Sequence, residues 1–311
     1  MNDLVSVIIP AYNHQHYIEL ALDSIYKQTY EKIELIVLDD CSQDQTLRTV
    51  QQWVNNYQAR NRFVRLIIER NLRNYGAYQT INRGLQLAQG QWLTILNSDD
   101  YYAHHRIEIL LQHAKEYQAD WLFSAVKVID EIGQASHSEL AIELEACVDY
   151  ASLYPNVSFA LLKKNIAITT GNLFFSRKLY QQLLKSATNL LLTPFRNLRY
   201  CHDWDFALQA CLIAEPMLVE TPLYYYRIHH HNSFAKLKVE QYLEPQMIYW
   251  HYFTACNAGY NQNIYAPNFQ NWPEFFDQWS KQDDVLAGAL FLTGQYPIKY
   301  DRLAQSINQF T

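Results

Sequence analysis

The chain predicts an α/β fold: a mostly parallel sheet with helices on both faces, then a smaller part and a helical C-terminal region. Three observations carry this expectation. Short β-rich runs recur at 5–9, 33–38, 64–68, 92–96 and 121–129, beginning roughly thirty residues apart, the length of a strand–helix–strand unit. Amphipathic helical patterns fill the gaps between them, as covered parallel sheets require. Three polar clusters stand at the carboxyl ends of these runs, the edge where open α/β sheets bind ligands.

The first run, VSVIIP, meets Pro10, which holds Ile9 extended and is expected to end the strand. Residues 14–28 then place Tyr17, Ala21 and Ile25 on one helical face, with Ile18 and Leu22 beside them. The second run, IELIVL, leads into Asp39-Asp40-Cys41-Ser42 and a helix over 43–57. The third precedes a helix over 76–88, and the fourth stops at Asn97-Ser98-Asp99-Asp100 before a helix over 104–118 carrying Ile107, Leu110, Leu111 and Ala114. After residue 131 the alternation fades, with strand-like stretches only at 166–176 and 218–228. Residues 236–311 are rich in aromatics, Asn and Gln and read as mainly helical.

Composition narrows the function. The 311 residues are 49% hydrophobic and 18% charged, as in an ordinary globular protein. A formal net charge of -6 argues against a general nucleic-acid partner, which needs a basic face. No apolar run approaches the roughly 18 residues of a membrane span. The N-terminus carries Asp3 and no basic region, so it reads as a strand rather than a signal peptide. Five scattered cysteines suggest neither a disulfide framework nor a zinc site, and a cytoplasmic setting fits. The first glycine is Gly76, so the turn after the first run has neither GxGxxG nor GxxxxGK[ST]. Backbone cradles of the Rossmann and P-loop kind are thereby excluded. A diphosphate bound here needs side chains and a metal.

The polar clusters extend into longer motifs. VSVIIPAYNHQHYIELALDSIYKQT resembles the opening of family-two glycosyltransferases, whose A-type fold begins with a strand, P-x-Y-N, and a helix ending near Q-T. The resemblance implies nucleotide contacts for Pro10, Tyr12 and Asn13; read alone, Asn13 serves equally as a helix N-cap. IELIVLDDCSQDQT resembles the family's D-D-x-S-x-D-x-T, implying that Asp40 accepts from the uracil N3–H, while Asp44 caps the next helix and Cys41 stands where many relatives have Gly. ILNSDD, led in by Gly90-Gln91-Trp92, resembles the acidic metal-binding motif. Its first acid is Asn97 here, leaving Asp99 and Asp100: Asp100 is favoured for the metal and Asp99 for the ribose or sugar, with either able to serve as ligand. ERNLRNYGAYQTINRGLQLAQG matches the following helix motif at Asn71, Gly76, Asn82 and Gly84, with Arg73 or Arg83 set to neutralise phosphate.

Two motifs lie further on. RYCHDWDFALQACL resembles E-D-W-D-x-x-L-x-x-R, which implies Asp203 as general base with Asp205 as its rival; His202 and Gln209 replace the usual Glu and Arg. PLYYYRIHHHNSF resembles Y-R-x-H-x-x-N-S through Tyr226, Arg227, His229, Asn232 and Ser233, and His229 is expected to complete the metal shell or touch the diphosphate. ITTGNLFFSRKLY resembles the strand lining donor sugar and acceptor, with Gly171 and Asn172 allowing close approach.

The resemblance covers residues 4–235. It implies an inverting, Mn²⁺- or Mg²⁺-assisted transferase moving a sugar from a UDP-sugar to a glycan, lipid-linked or protein hydroxyl. Residues 1–130 would bind the nucleotide sugar, 131–235 the acceptor, and 236–311 form an extension. Peripheral association with the inner membrane face and a homodimer contact stay open. The departures at Asn97, His202 and Gln209 keep a catalytically degenerate nucleotide-sugar binder as an alternative; a sugar nucleotidyltransferase would need a Gly- and Arg-rich loop that is missing.

Overall fold

A computed structural model describes residues 3–186, 194–230, 240–283 and 288–289. Its strands are β1 (Val5–Ala11), β2 (Ile33–Asp39), β3 (Arg65–Arg70), β4 (Trp92–Ile95), β5 (Tyr101–Tyr102), β6 (Trp121–Ile129), β7 (Phe174–Ser176) and β8 (Met217–Arg227). Four helices alternate with the early strands: α1 (Ile18–Tyr26), α2 (Thr46–Asn56), α3 (Ala77–Leu87) and α4 (Arg106–Glu116). The later helices are α5 (Glu139–Glu145), α6 (Cys147–Ser152), α7 (Val157–Lys163), α8 (Arg177–Ser186), α9 (His202–Cys211), α10 (Glu240–Asn257) and α11 (Pro273–Ser280).

One eight-stranded sheet runs β3-β2-β1-β4-β7-β6-β8-β5. The β3-β2-β1-β4 half is parallel, whereas β7 joins β4 and β6 antiparallel. β1 and β2 are apolar on both faces and lie in the core, each residue buried except Pro10, as expected of strands covered by helices on either side. Against them, a Cβ on Gly84 of α3 would collide with Ile8, so helix and sheet can approach this closely only with glycine there. No helix among the described residues is long and apolar enough to cross a membrane.

Three local expectations change. β1 does not end at Pro10 but pairs on to Ala11, opposite Asp39. The β4 partner stops at Ile8, so the missing Pro10 N–H breaks no ladder bond on that side. Helix α1 begins at Ile18, too late for Asn13 to be its N-cap. Of 166–176, only Phe174–Ser176 is strand, and the preceding residues form a buried turn. Of the C-terminal extension, α10 and α11 are helical as anticipated; Asn232 and Ser233 lie outside the described residues.

The two-residue β5 decides where the site forms. It follows Asp99-Asp100 and pairs antiparallel with Tyr224 and Tyr225 of β8, the Tyr101 and Tyr225 rings stacking at 4.4 Å. The acidic turn is thus folded back onto the end of β8. That brings His229 to Asp99 across 130 residues of chain.

Candidate active site at the carboxyl edge of the sheet

The loops leaving β1 and β2 are stapled together. Asn13, at φ +55°, accepts from Gln43 N at 2.8 Å through Oδ1 and donates its own N–H to Ser42 Oγ at 3.1 Å. The His14 N–H donates to Thr46 Oγ1 at 2.8 Å, and Gln15 N to Asp44 Oδ2 at 3.1 Å. Pro10 lies at the foot of this loop, and Tyr12 stands out from it, 39% exposed. Cys41 occupies the left-handed region at φ +64°, the conformation glycine would adopt most easily.

The staple aims His14 at the acidic turn. Its Nδ1 is 2.7 Å from Ser98 Oγ, and its Nε2 is 3.8 Å from Asp99 Oδ2. His229 Nε2 approaches the same Asp99 oxygen to 3.0 Å. One atom from each of His14, Asp99 and His229 lies within 4.8 Å of the others, a spacing able to hold a metal ion. Tyr17 packs on His229 with ring centroids 5.0 Å apart and has the Arg227 guanidinium 5.0 Å above its own ring.

Asp100 faces elsewhere. Its Oδ2 accepts from the Tyr224 hydroxyl at 2.6 Å and Asn97 Nδ2 at 3.2 Å, and its Oδ1 from Arg227 N at 2.8 Å. The favoured metal ligand of the pair therefore spends both oxygens on protein donors, and the ligand atoms converge on Asp99 instead. Protonation follows the same division. Burial and the Asp99 charge push Asp100 well above the usual carboxylate range. Burial would also raise Asp99, but the His14 charge and the His229 hydrogen bond outweigh it and hold Asp99 low. Neighbouring acids avoid mutual repulsion by titrating apart.

On the β2–β3 side, Asp40 is already engaged. Its Oδ1 accepts from Asn71 Nδ2 at 2.6 Å and Tyr75 N at 2.9 Å, and its Oδ2 from Gly76 N at 2.8 Å. It braces the loop after β3 rather than standing open to a base. Its neighbour Asp39 ion-pairs with Arg70 at 3.3 Å and has one buried oxygen without a partner. Beside them lies a cleft of about 380 Å³ lined by Arg70, Asn71, Leu72, Tyr75, Gln79 and Arg83. Arg73 is exposed and stacks over Tyr75, a wall of that cleft, at 5.1 Å. Asn82, anticipated among the nucleotide contacts, instead clasps the Phe195 backbone, donating to its O at 2.7 Å and accepting from its N at 3.3 Å.

Asp203 lies in the first turn of α9, 7% exposed. Its Oδ1 accepts from Trp204 N at 2.7 Å and its Oδ2 from Asn165 Nδ2 at 3.2 Å. Burial raises its carboxyl above the usual value, with the His202 charge and these bonds pulling the other way. Asp205 is locked away, one oxygen on Arg196 at 2.5 Å and the other on Gln209 at 2.7 Å. Sequence reasoning missed His14 and Asn165, and within ITTGNLFFSRKLY it did not single out Thr169 or Thr170. His14 had one legible signal, its place directly after the Tyr12-Asn13 turn.

A sheet whose carboxyl edge gathers a carboxylate, two imidazoles and a separate buried acid defines an α/β protein with a built polar cleft. The model of "Glycosyl transferase family 2" matches residues 6–184, and the chain belongs to that family. Among curated relatives it is 35% identical over 120 residues to glycosyltransferase GlyG of Streptococcus pneumoniae, covering 39% of this chain and 38% of that protein. The chain thus spans about two fifths of the length of the first curated relatives it matches. Among solved structures, Staphylococcus aureus TarS 1-349 in complex with UDP-GlcNAc aligns with a TM-score of 0.60 and 22% identity, covering 93% of this chain and 80% of that one. Mannosyltransferase PcManGT from Pyrobaculum calidifontis, in complex with GDP-Man and Mn²⁺, aligns with a TM-score of 0.57 and 16% identity, covering 100% and 81%. These two share the fold.

Proposed function

We propose that the chain is an inverting glycosyltransferase that moves a sugar from a UDP-sugar to the hydroxyl of a glycan or lipid-linked acceptor. The observation that carries this reading is the convergence of His14, Asp99 and His229 on the sheet edge of a family-two chain. Two nitrogens and one carboxylate oxygen suit Mn²⁺ better than Mg²⁺, which favours oxygen ligands alone. A bound divalent cation supplies Lewis-acid neutralisation of the leaving diphosphate. Residues 1–130 hold the nucleotide sugar, with Tyr12 and the cleft by Arg70 and Tyr75 available to the base, and 131–235 hold the acceptor.

Asp203 accepts the proton of the acceptor hydroxyl as that oxygen attacks the anomeric carbon. The new C–O bond forms on the face opposite the breaking bond to phosphate, so configuration inverts and UDP leaves. A buried carboxyl with a raised proton affinity is better matched to this task near neutral pH than an exposed one. Free cysteines and a nucleotide-sugar donor favour work in the cytoplasm, at the inner membrane face when the acceptor is lipid-linked.

The test is a UDP-release screen across nucleotide sugars with Mn²⁺, with and without EDTA, for wild type and Asp203→Asn. Mn²⁺-dependent UDP release that Asp203→Asn abolishes is the expected result. Turnover indifferent to EDTA overturns the metal role. Nucleotide binding without any turnover identifies a degenerate binder, and pyrophosphate release from a nucleoside triphosphate identifies a nucleotidyltransferase.

A further inference from the structure

The turn at 165–172 touches both halves of the site. Thr169 Oγ1 accepts from Asn97 Nδ2 at 2.6 Å, and the same Asn97 amide donates to Asp100. Thr170 Oγ1 is 3.1 Å from His202 Nε2. A Cβ on Gly171 would overlap the Tyr224 hydroxyl, the group that holds Asp100. Within the turn Ile168 sits at φ +73°, a conformation β-branched residues adopt only where their surroundings enforce it. Asn165 helps enforce it by accepting the Ile168 N–H on Oδ1 at 3.2 Å. The Ile168 N–H also reaches the Asn165 carbonyl at 3.3 Å, and Thr169 N donates to Ala167 O at 2.8 Å. The other end of the Asn165 side-chain amide, Nδ2, goes to Asp203 Oδ2.

We propose that Asn165 is a positioning residue that orients the Asp203 carboxylate, and that the 165–172 turn couples this orientation to the Asp99–Asp100 loop. The proposal rests on the reading of Asp203 as base. An N–H donated to a carboxylate favours its charged form, so Asn165 also sets the pH at which Asp203 accepts a proton. The other ionisable groups around it, His202 apart, face elsewhere. His202 and Cys201 flank it on the chain, and His202 bears on its charge directly. From α10, Glu244 takes the N–H groups of Arg199, Tyr200 and Cys201, and His251 faces Asp205 at 3.8 Å, beside Arg196. From the end of α7, Lys163 lies 3.8 Å from the Trp279 ring centroid and Lys164 pairs with Glu143 at 2.7 Å.

Asn165→Asp tests folding, because it keeps an oxygen to accept the Ile168 N–H, but it replaces the Nδ2 donor with a second carboxyl oxygen whose charge also opposes ionisation of Asp203. Carboxyl titration followed by carbon-13 NMR, with Asp203→Asn assigning the resonance, reads Asp203 without any substrate. The expected result is an Asp203 titration about one pH unit higher in Asn165→Asp, with Tm and UDP affinity unchanged. The acid limb of kcat/KM for Mn²⁺-dependent UDP release moves with it, so the loss is large in acidic buffer and recovers at high pH. An unmoved titration, or a loss equal at every pH, overturns the proposal. Asn165→Ala, which removes the donor without adding a charge, is titrated beside it: an upward shift in both variants supports the proposal, and a shift confined to Asn165→Asp overturns it. Should Asp203→Asn keep full turnover, the base reading itself has failed; if that variant is inactive and the titration does not move, only the positioning role has.

Discussion

Asp99 and Asp100 are adjacent in sequence and differ in every contact that matters. Asp99 keeps an oxygen toward two imidazoles, and Asp100 is wrapped by Tyr224, Asn97 and the Arg227 amide. Asn97 in the place of an acid belongs to this arrangement: its amide donates to both Asp100 and Thr169, which an ionised carboxylate cannot do. His14 depends on its own outer partner, the Ser98 hydroxyl at Nδ1, which orients the ring so that Nε2 faces Asp99. Partners of this kind typically change metal affinity by about 10- to 100-fold when removed. Ser98→Ala is therefore expected to weaken Mn²⁺ binding by about tenfold, and Asp99→Ala to abolish it, read by paramagnetic resonance of free Mn²⁺. Equal affinity in Ser98→Ala and wild type would remove His14 from the ligand set.

The start of α2 shows how a helix end can hold an active-site loop. Asp44 Oδ1 accepts from the Thr46 amide at 2.9 Å and its hydroxyl at 2.5 Å, while Oδ2 takes the Gln15 N–H. Asp44 stands just before the N-cap Gln45, and with its bonds to Thr46 and Gln15 Asp44→Ala is expected to cost about 1–2 kcal/mol in urea unfolding, as much as a lost cap. Burial would raise this carboxyl, but the Thr46 and Gln15 bonds hold it below its ordinary value. Its contribution is thus full above the ordinary carboxylate range and fades as pH falls through the lower folded value, so variant and wild type should converge in strong acid. The polar turn at Asp44 was legible in sequence, although the N-cap of α2 is Gln45 rather than Asp44; β1–β4 and α1–α4 were legible because each carries a full period of apolar residues between polar ends. The α5–α7 helices were not, being only 6 or 7 residues long. The 165–172 turn was mistaken for strand because Ile and Thr favour pleated surfaces, whereas Asn165 and the left-handed Ile168 bend it. Asp40 and Asn82 had the right residue types, but contacts with Gly76 and Phe195 come from distant chain and leave no local mark.

Over the whole molecule, folding brings together residues 14, 99 and 229, and separately residues 165 and 203, and buries charge to do so. A base that must ionise inside the protein works against the fold that houses it. The sign follows from Asp203, whose folded carboxyl is raised by burial despite His202, Trp204 and Asn165. Below the ordinary carboxylate value both folded and unfolded chains hold the proton, and the buried neutral acid contributes its full stability. As pH rises, the unfolded chain releases the proton first, so that contribution is lost progressively until pH has passed the raised folded value. Asp203→Asn stays neutral throughout and escapes the loss. Thermal unfolding across pH 4 to 8 should therefore show the variant gaining on wild type as pH rises, then running parallel to it. Asp100 remains in both proteins, so its own raised value cancels in the comparison. A difference that is flat with pH, or that grows toward acid, would mean that Asp203 is ionised as easily in the fold as outside it. It would then lack the proton affinity that suits a base near neutrality.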